Sequence, residues 1–157
     1  MHNNFSIFVN MNKSKSIDHA LRATWQAVAK MYNEQASKHD VTMAVAMALL
    51  NIDYKNGTPS TSLGPSMGME ATSLSRILKS MEERGFIYRE KNLLDRRSIC
   101  IKLTKLGIEK REFSKSSVNQ FNKAVRENLS EEKINHFFEV AETVNRLINQ
   151  KAIFKNE

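Results

Sequence analysis

The chain has 157 residues, 41% of them hydrophobic and 26% charged, and its 24 Lys and Arg against 17 Asp and Glu leave a net charge of +7. That length can bury a core without covalent staples, and the basic excess favours a polyanionic partner, nucleic acid before others. The single cysteine, Cys100, excludes an internal disulfide and an all-thiolate metal site; no run nears the ~18 apolar residues of a membrane span, so the expected setting is the reducing cytoplasm, with no membrane partner.

Residues 1–16 read as a polar, flexible N-terminal arm. Their apolar run, 5–9, is short and has no positive charge ahead of it, unlike a secretory signal. Residues 17–38 place Ile17, Leu21, Trp25, Val28 and Tyr32 on one helical face. The next segment, 40–57, is apolar nearly all round, as in a helix buried on most sides. Thr42 suits its N-cap, and Asn56 with Gly57 suits a left-handed stop. TPST, 58–61, reads as a turn or a very short strand.

Residues 62–68 keep Leu63 and Met67 four apart, the spacing of a short helix that begins as late as Ser62. Pro65 forbids a long undistorted one outside the first turn. Residues 69–85 are the clearest helix. Ala71, Leu74, Ile77, Leu78 and Met81 form an apolar stripe; Thr72, Arg76, Lys79, Ser80 and Glu83 lie opposite with Ser73 on the flank, and Gly85 is the stop.

Two strands follow, 86–91 and 98–103. The second alternates Ile99, Ile101 and Leu103 with Ser98, Cys100 and Lys102, and residues 92–97 form the hairpin tip between them. A loosely apolar helical pattern resumes beyond Thr104 for about 22 residues. Ser130 then caps a last helix with Glu131 and Glu132 at its positive end, and Leu129 and Ile134 have the spacing of a hydrophobic staple.

A short helix, a tight turn and a polar-faced helix make a helix-turn-helix, and the hairpin behind them makes it winged. In that arrangement the second helix reads the major groove. Arg76 suits guanine, Thr72, Ser73 and Ser80 are short hydrogen-bonding groups, and Lys79 suits a phosphate. Taken alone, the same helix reads equally as a solvated face. From 86 to 105, six cations oppose two anions, so +4 of the chain's +7 lies in the hairpin. Arg96 and Arg97 sit at its tip, where a guanidinium can enter a narrow minor groove, and Asp95 can hold the tip in shape. The bland reading is a solubilising tip.

With SLSRILKSMEERGFIYRE, then Asp95, Arg96 and Arg97 (a D-x-R pattern), then IKLTKLG over 101–107, the chain resembles the MarR family of bacterial winged-helix regulators from residue 17 onward. The resemblance implies a homodimeric DNA-binding repressor or activator, often released by a small ligand or by oxidation. It makes Arg97 the minor-groove arginine, Asp95 its orienting partner, and Thr72, Ser73 and Arg76 the recognition-helix contacts. Gly64 and Pro65 depart from the family, whose short helix usually carries helix-favouring residues there.

The resulting expectation is a mainly α fold. A winged helix-turn-helix core with a β-hairpin wing, 40–105, is flanked by N- and C-terminal helices, 17–39 and 106–150, that form a dimerisation region. All lie in a single domain, 17–150, followed by a tail, 151–157. The long apolar stripes of the flanking helices exceed what a small winged-helix core covers. A shared interface between two copies covers them and puts two recognition helices roughly 34–36 Å apart on a pseudo-palindromic operator; packing within one chain is the blander alternative. The expected partners are therefore double-stranded DNA, a second copy of the chain, and a small apolar or aromatic effector, which a methionine-rich wall accepts. Cys100 reads first as a small strand residue, and second as an oxidant sensor whose thiolate Arg97 and Lys102 would stabilise. The four histidines lack ligand spacing, so no metal is expected. No glycine phosphate loop, nucleophile elbow or paired catalytic carboxylate appears, so neither a cofactor nor catalysis is expected. The competing function is a winged-helix module that binds protein and not DNA.

Overall fold

A computed structural model describes residues 16–91 and 99–154. They form α1 (Ile17–Ser37), α2 (Met43–Asn51), β1 (Thr58–Pro59), α3 (Ser60–Met67), α4 (Ala71–Glu83), β2 (Ile87–Lys91), β3 (Ile99–Leu103), α5 (Lys105–Asn128) and α6 (Glu131–Asn149). This is the expected winged helix-turn-helix with flanking helices. Two compact units result, one ending at Ser117 and the other beginning at Val118. Most of the expected arm (1–15) and the end of the tail (155–157) lie outside the described residues, as does the hairpin tip, 92–98, with Asp95, Arg96 and Arg97.

The first unit holds the core. Leu49, Ile52, Leu63, Met81 and Ile101 are fully buried, with Val45, Leu74, Leu78, Phe86, Ile87 and Leu103 around them. α2 starts as its sequence requires, with the Val45 N–H donating to Thr42 Oγ1 at 3.3 Å. It stops six residues before the expected end at 57. Ile52 is already extended at φ −85° and ψ 125°. The Asp53 carboxylate then accepts from the Lys55 and Asn56 N–H groups, each at 2.8 Å, and Gly57 takes a φ of +75°. A side chain that captures its own downstream amides competes directly with the helix. The freed segment enters β1.

α3 begins at Ser60 and carries Pro65 in its interior, against the expected start at Ser62. The helix has only eight residues, so the one hydrogen bond that Pro65 cannot make is a small loss. Gly68, at φ 61°, closes it, with its N–H donating to the Gly64 and Pro65 carbonyls. α4 then buries Leu74, Leu78 and Met81. At its end the Gly85 N–H donates to the Glu82 carbonyl at 2.9 Å and the Phe86 N–H to the Met81 carbonyl at 2.8 Å. That double bond around a left-handed glycine (φ +70°) is a Schellman closure, and it drives Phe86 into the core.

The sheet is antiparallel in the order β1-β3-β2, with Ile87 opposite Leu103, Lys91 opposite Ile99, and Thr58 opposite Ile101. The Ile101 and Leu103 face of β3 is buried as expected, but Ile99 at the strand's start is 42% exposed, and Cys100 on the opposite face is buried as well. Ile99 has run past the core, whereas Cys100 lies beneath the 53–57 turn and donates its S–H to the Asn56 carbonyl at 3.5 Å.

The step from β3 to α5 is tightly tied. Thr104 Oγ1 accepts from the Gly107 N–H at 3.0 Å and donates to the Gly85 carbonyl at 2.6 Å; the Thr104 N–H donates to the Phe86 carbonyl at 3.0 Å. A Cβ on Gly107 would lie within the shell of the Phe86 carbonyl oxygen and 2.9 Å from the carbonyl carbon, so only glycine fits. In α1 only Ala36 is buried, while Ile17, Leu21 and Trp25 are exposed.

In the second unit Ser130 caps α6 by accepting from the Lys133 N–H at 3.4 Å, as its position predicts. Arg126 donates to both oxygens of Glu131, at 3.0 and 3.3 Å, which fixes the corner before α6. Ile134 is buried; Phe137, Phe138, Val140 and Ile148 are all at least half exposed.

Candidate nucleic-acid interface

α4 presents its polar face because its apolar stripe is consumed by the core. Thr72, Ser73, Arg76 and Lys79 are exposed, as the sequence suggests. Ser80 is only half-buried in the flank, so it is the least available of the five. Ser75, absent from the sequence-based set, is exposed as well. At ~100° per residue it lies roughly 60° from Thr72, on the side away from Ser73, and the helical projection alone could have found it. Arg76 makes no ion pair among the described residues, so its guanidinium is available to a ligand. Lys79 leans toward Glu83 at 3.8 Å, an exposed i, i+4 pair of little strength that a phosphate can replace.

The short helix α3 and the turn at Gly68 set the start of α4. Its first residue follows Glu70, whose side chain makes no cap bond, so the first-turn amides stay open to an acceptor.

The hairpin stem carries less free charge than its sequence count. Arg89 donates to Glu82 of α4 at 2.9 Å, and Lys102 pairs with Glu90 at 2.5 Å. The hydrogen bond to Glu90 raises the Lys102 pKa above its usual value and keeps it cationic. Lys91 and Lys105 are exposed and have no ion pair among the described residues. A sum of charges over 86–105 does not contain the Arg89 partner, because Glu82 lies outside the hairpin.

Cys100 is not placed as a reactive group. Its sulfur is buried and acts as a hydrogen-bond donor, and Lys102 is engaged elsewhere. Of the three methionines of the helix-turn-helix, Met67 and Met81 fill the core and Met69 packs half-buried against it. His39 stacks on Phe113 with ring centroids 3.4 Å apart, a packing role. Among the described residues no three His, Cys, Asp or Glu side chains gather as a metal site, and no helix is long and apolar enough to cross a membrane.

Residues 41–99 match the model of the MarR family. An 88-residue stretch is 31% identical to the HTH-type transcriptional regulator SarZ of Staphylococcus haemolyticus, covering 56% of this chain and 60% of that protein. Among solved structures, the S. aureus MepR–DNA complex has a similar fold, with a TM-score of 0.74 at 18% identity over 86% of this chain and 98% of that one. CouR from Rhodococcus jostii RHA1, bound to p-coumaroyl-CoA, gives 0.76 at 19% identity over 85% and 94%.

Proposed function

We propose that this chain, whose residues 41–99 match the MarR family model, is a MarR-type, sequence-specific regulator of transcription that binds double-stranded DNA as a homodimer. The observation that carries the reading is a pairing of two features. An exposed Thr72, Ser73, Arg76 and Lys79 face lies on a helix whose far end is locked to the root of a basic hairpin. In the complex α4 enters the major groove; Arg76 donates to a guanine, Thr72 and Ser73 bond base edges or phosphate, and Lys79 exchanges Glu83 for a phosphate. The hairpin tip reaches the adjacent minor groove, where Arg97 inserts and Asp95 orients it, with Arg96 on the backbone.

The homodimer reading is supported by apolar surface on the flanking helices. Ile17, Leu21 and Trp25 of α1, and Phe137, Phe138 and Ile148 of α6, are each 45% exposed or more. Six such side chains on two amphipathic helices call for a partner surface. A two-fold dimer presents two α4 helices to an inverted repeat. Release by a small apolar or aromatic effector completes the reading, supported by the fold shared with CouR, which was solved with p-coumaroyl-CoA.

The test is selection of bound fragments from genomic DNA by the purified chain, followed by gel shift and light scattering. The expected result is an enriched inverted repeat bound by a dimer. A chain that enriches no sequence and retards no duplex contradicts the reading and favours a protein-binding module.

A further inference from the structure

β2 is paired with β3 along its whole length, from Ile87 to Lys91, but beyond Ile87 its own side chains add nothing to the core. Ile87 is buried, but Tyr88, Arg89, Glu90 and Lys91 are all exposed. The Schellman closure ties the root of the strand to α4 at Phe86 and Ile87, and past that point the ladder to β3 carries the strand. Arg89 lies two residues farther out, roughly 7 Å along the strand. There its Nε donates to Glu82 Oε2 at 2.9 Å, with the two side chains 35% and 41% exposed. Among the described residues no other side-chain hydrogen bond or ion pair joins β2 to α4. Within the hairpin, Glu90 on β2 and Lys102 on β3 form a second pair, which makes the stem a unit.

We propose that Glu82 and Arg89 are positioning residues for DNA recognition: their ion pair sets the angle between α4 and the hairpin so that both reach their grooves together. The proposal rests on the functional reading above. Its physical basis is effective concentration. Two contacts on one rigid body bind as one event, and a stem free to swing dilutes the second contact. The alternative role for Arg89 is an ordinary phosphate contact, with Glu82 as a repulsive neighbour.

Opposite charge changes separate the two roles. Glu82→Gln removes a negative charge and Arg89→Gln a positive one. Each variant, and the exchanged pair Glu82→Arg with Arg89→Glu, is titrated by fluorescence anisotropy against a selected operator and an unrelated duplex at several salt concentrations. If the pair positions, both single variants weaken operator binding, roughly three- to tenfold. Binding to the unrelated duplex then changes little, the salt slope stays constant, and the exchanged pair recovers most of the loss. Melting curves accompany each variant, and Glu82→Asp, which keeps the charge but shortens the reach, gives an intermediate loss. Tighter operator binding by Glu82→Gln overturns the inference, as does a salt slope lowered by about one in Arg89→Gln, the mark of a lost phosphate. Failure of the exchanged pair to recover binding also overturns it while the functional reading stands. If the unmodified chain binds neither duplex, the functional reading falls and takes the inference with it.

Discussion

Gly107→Ala tests whether the hairpin root is clamped to α5 as tightly as the geometry implies. Alanine is the better helix former, by about 1 kcal/mol in a helix interior, so propensity alone predicts stabilisation. The structure predicts the opposite. The new methyl would press on the Phe86 carbonyl, and both atoms in its way are backbone and not a flexible side-chain end. Relief requires α5 to retreat from β2, which stretches the Thr104 N–H bond to Phe86 (3.0 Å) and the Gly107 N–H bond to Thr104 Oγ1 (3.0 Å). Overpacking costs about 1–3 kcal/mol and each weakened hydrogen bond about 1. Set against the propensity gain, the net is a destabilisation of roughly 2–4 kcal/mol. Urea unfolding followed by circular dichroism reads this as a lower midpoint at unchanged m. Gly85→Ala is the internal comparison: nothing lies near its Cβ, and its φ of +70° alone costs about 1–2 kcal/mol. An unchanged or raised midpoint for Gly107→Ala would refute the packing argument.

Arg76→Ala should weaken operator binding by about 1–3 kcal/mol and relax base preference at one position per half-site, read by anisotropy on single-base operator variants; uniform weakening on all sequences would make Arg76 a phosphate contact instead. Thr104→Val should cost about 1–2 kcal/mol in urea unfolding, because it removes the α5 cap and leaves the Gly85 carbonyl without its donor; an unchanged midpoint would contradict this. The Asp53 carboxyl is held below its ordinary 3.8 by the backbone N–H groups of Asn56 and Lys55. A depressed folded pKa adds stability above the unfolded value that is lost as pH falls through the folded one, so this contribution disappears below about pH 4. Asp53→Asn keeps the turn but should flatten that acid limb, and an acid unfolding curve identical to the unmodified chain would rule the contribution out.

The parts of the fold legible in the sequence are those fixed by local chemistry. Thr42 and Ser130 cap the helices they precede, Gly85 ends α4, and three of the five residues of the 69–85 apolar stripe, Leu74, Leu78 and Met81, are buried, with Ile77 half-buried and Ala71 exposed at the helix start. Where the reading slipped, two local preferences competed. Apolar periodicity carried the second helix to 57, but the Asp53 carboxylate captures the amides that would extend it. Pro65 argued for a late start to the short helix, yet eight residues accommodate it inside. In the candidate site, the exposed α4 face was readable by projection. The pairing of Arg89 with Glu82 was not, because the partners sit on different elements and no periodicity links them. The burial of Cys100 follows from the 53–57 turn, which the sequence reading placed in a helix.

DNA recognition is tested most directly by anisotropy of the 157-residue chain on a labelled operator duplex between about 50 and 200 mM salt, where a protein releasing counterions from several phosphates loses orders of magnitude in affinity. The expected result is a straight log–log line with a slope of several negative units, a two-chain stoichiometry and much weaker binding to unrelated DNA. Absent binding at the lowest salt, or binding indifferent to salt and to sequence, would contradict it.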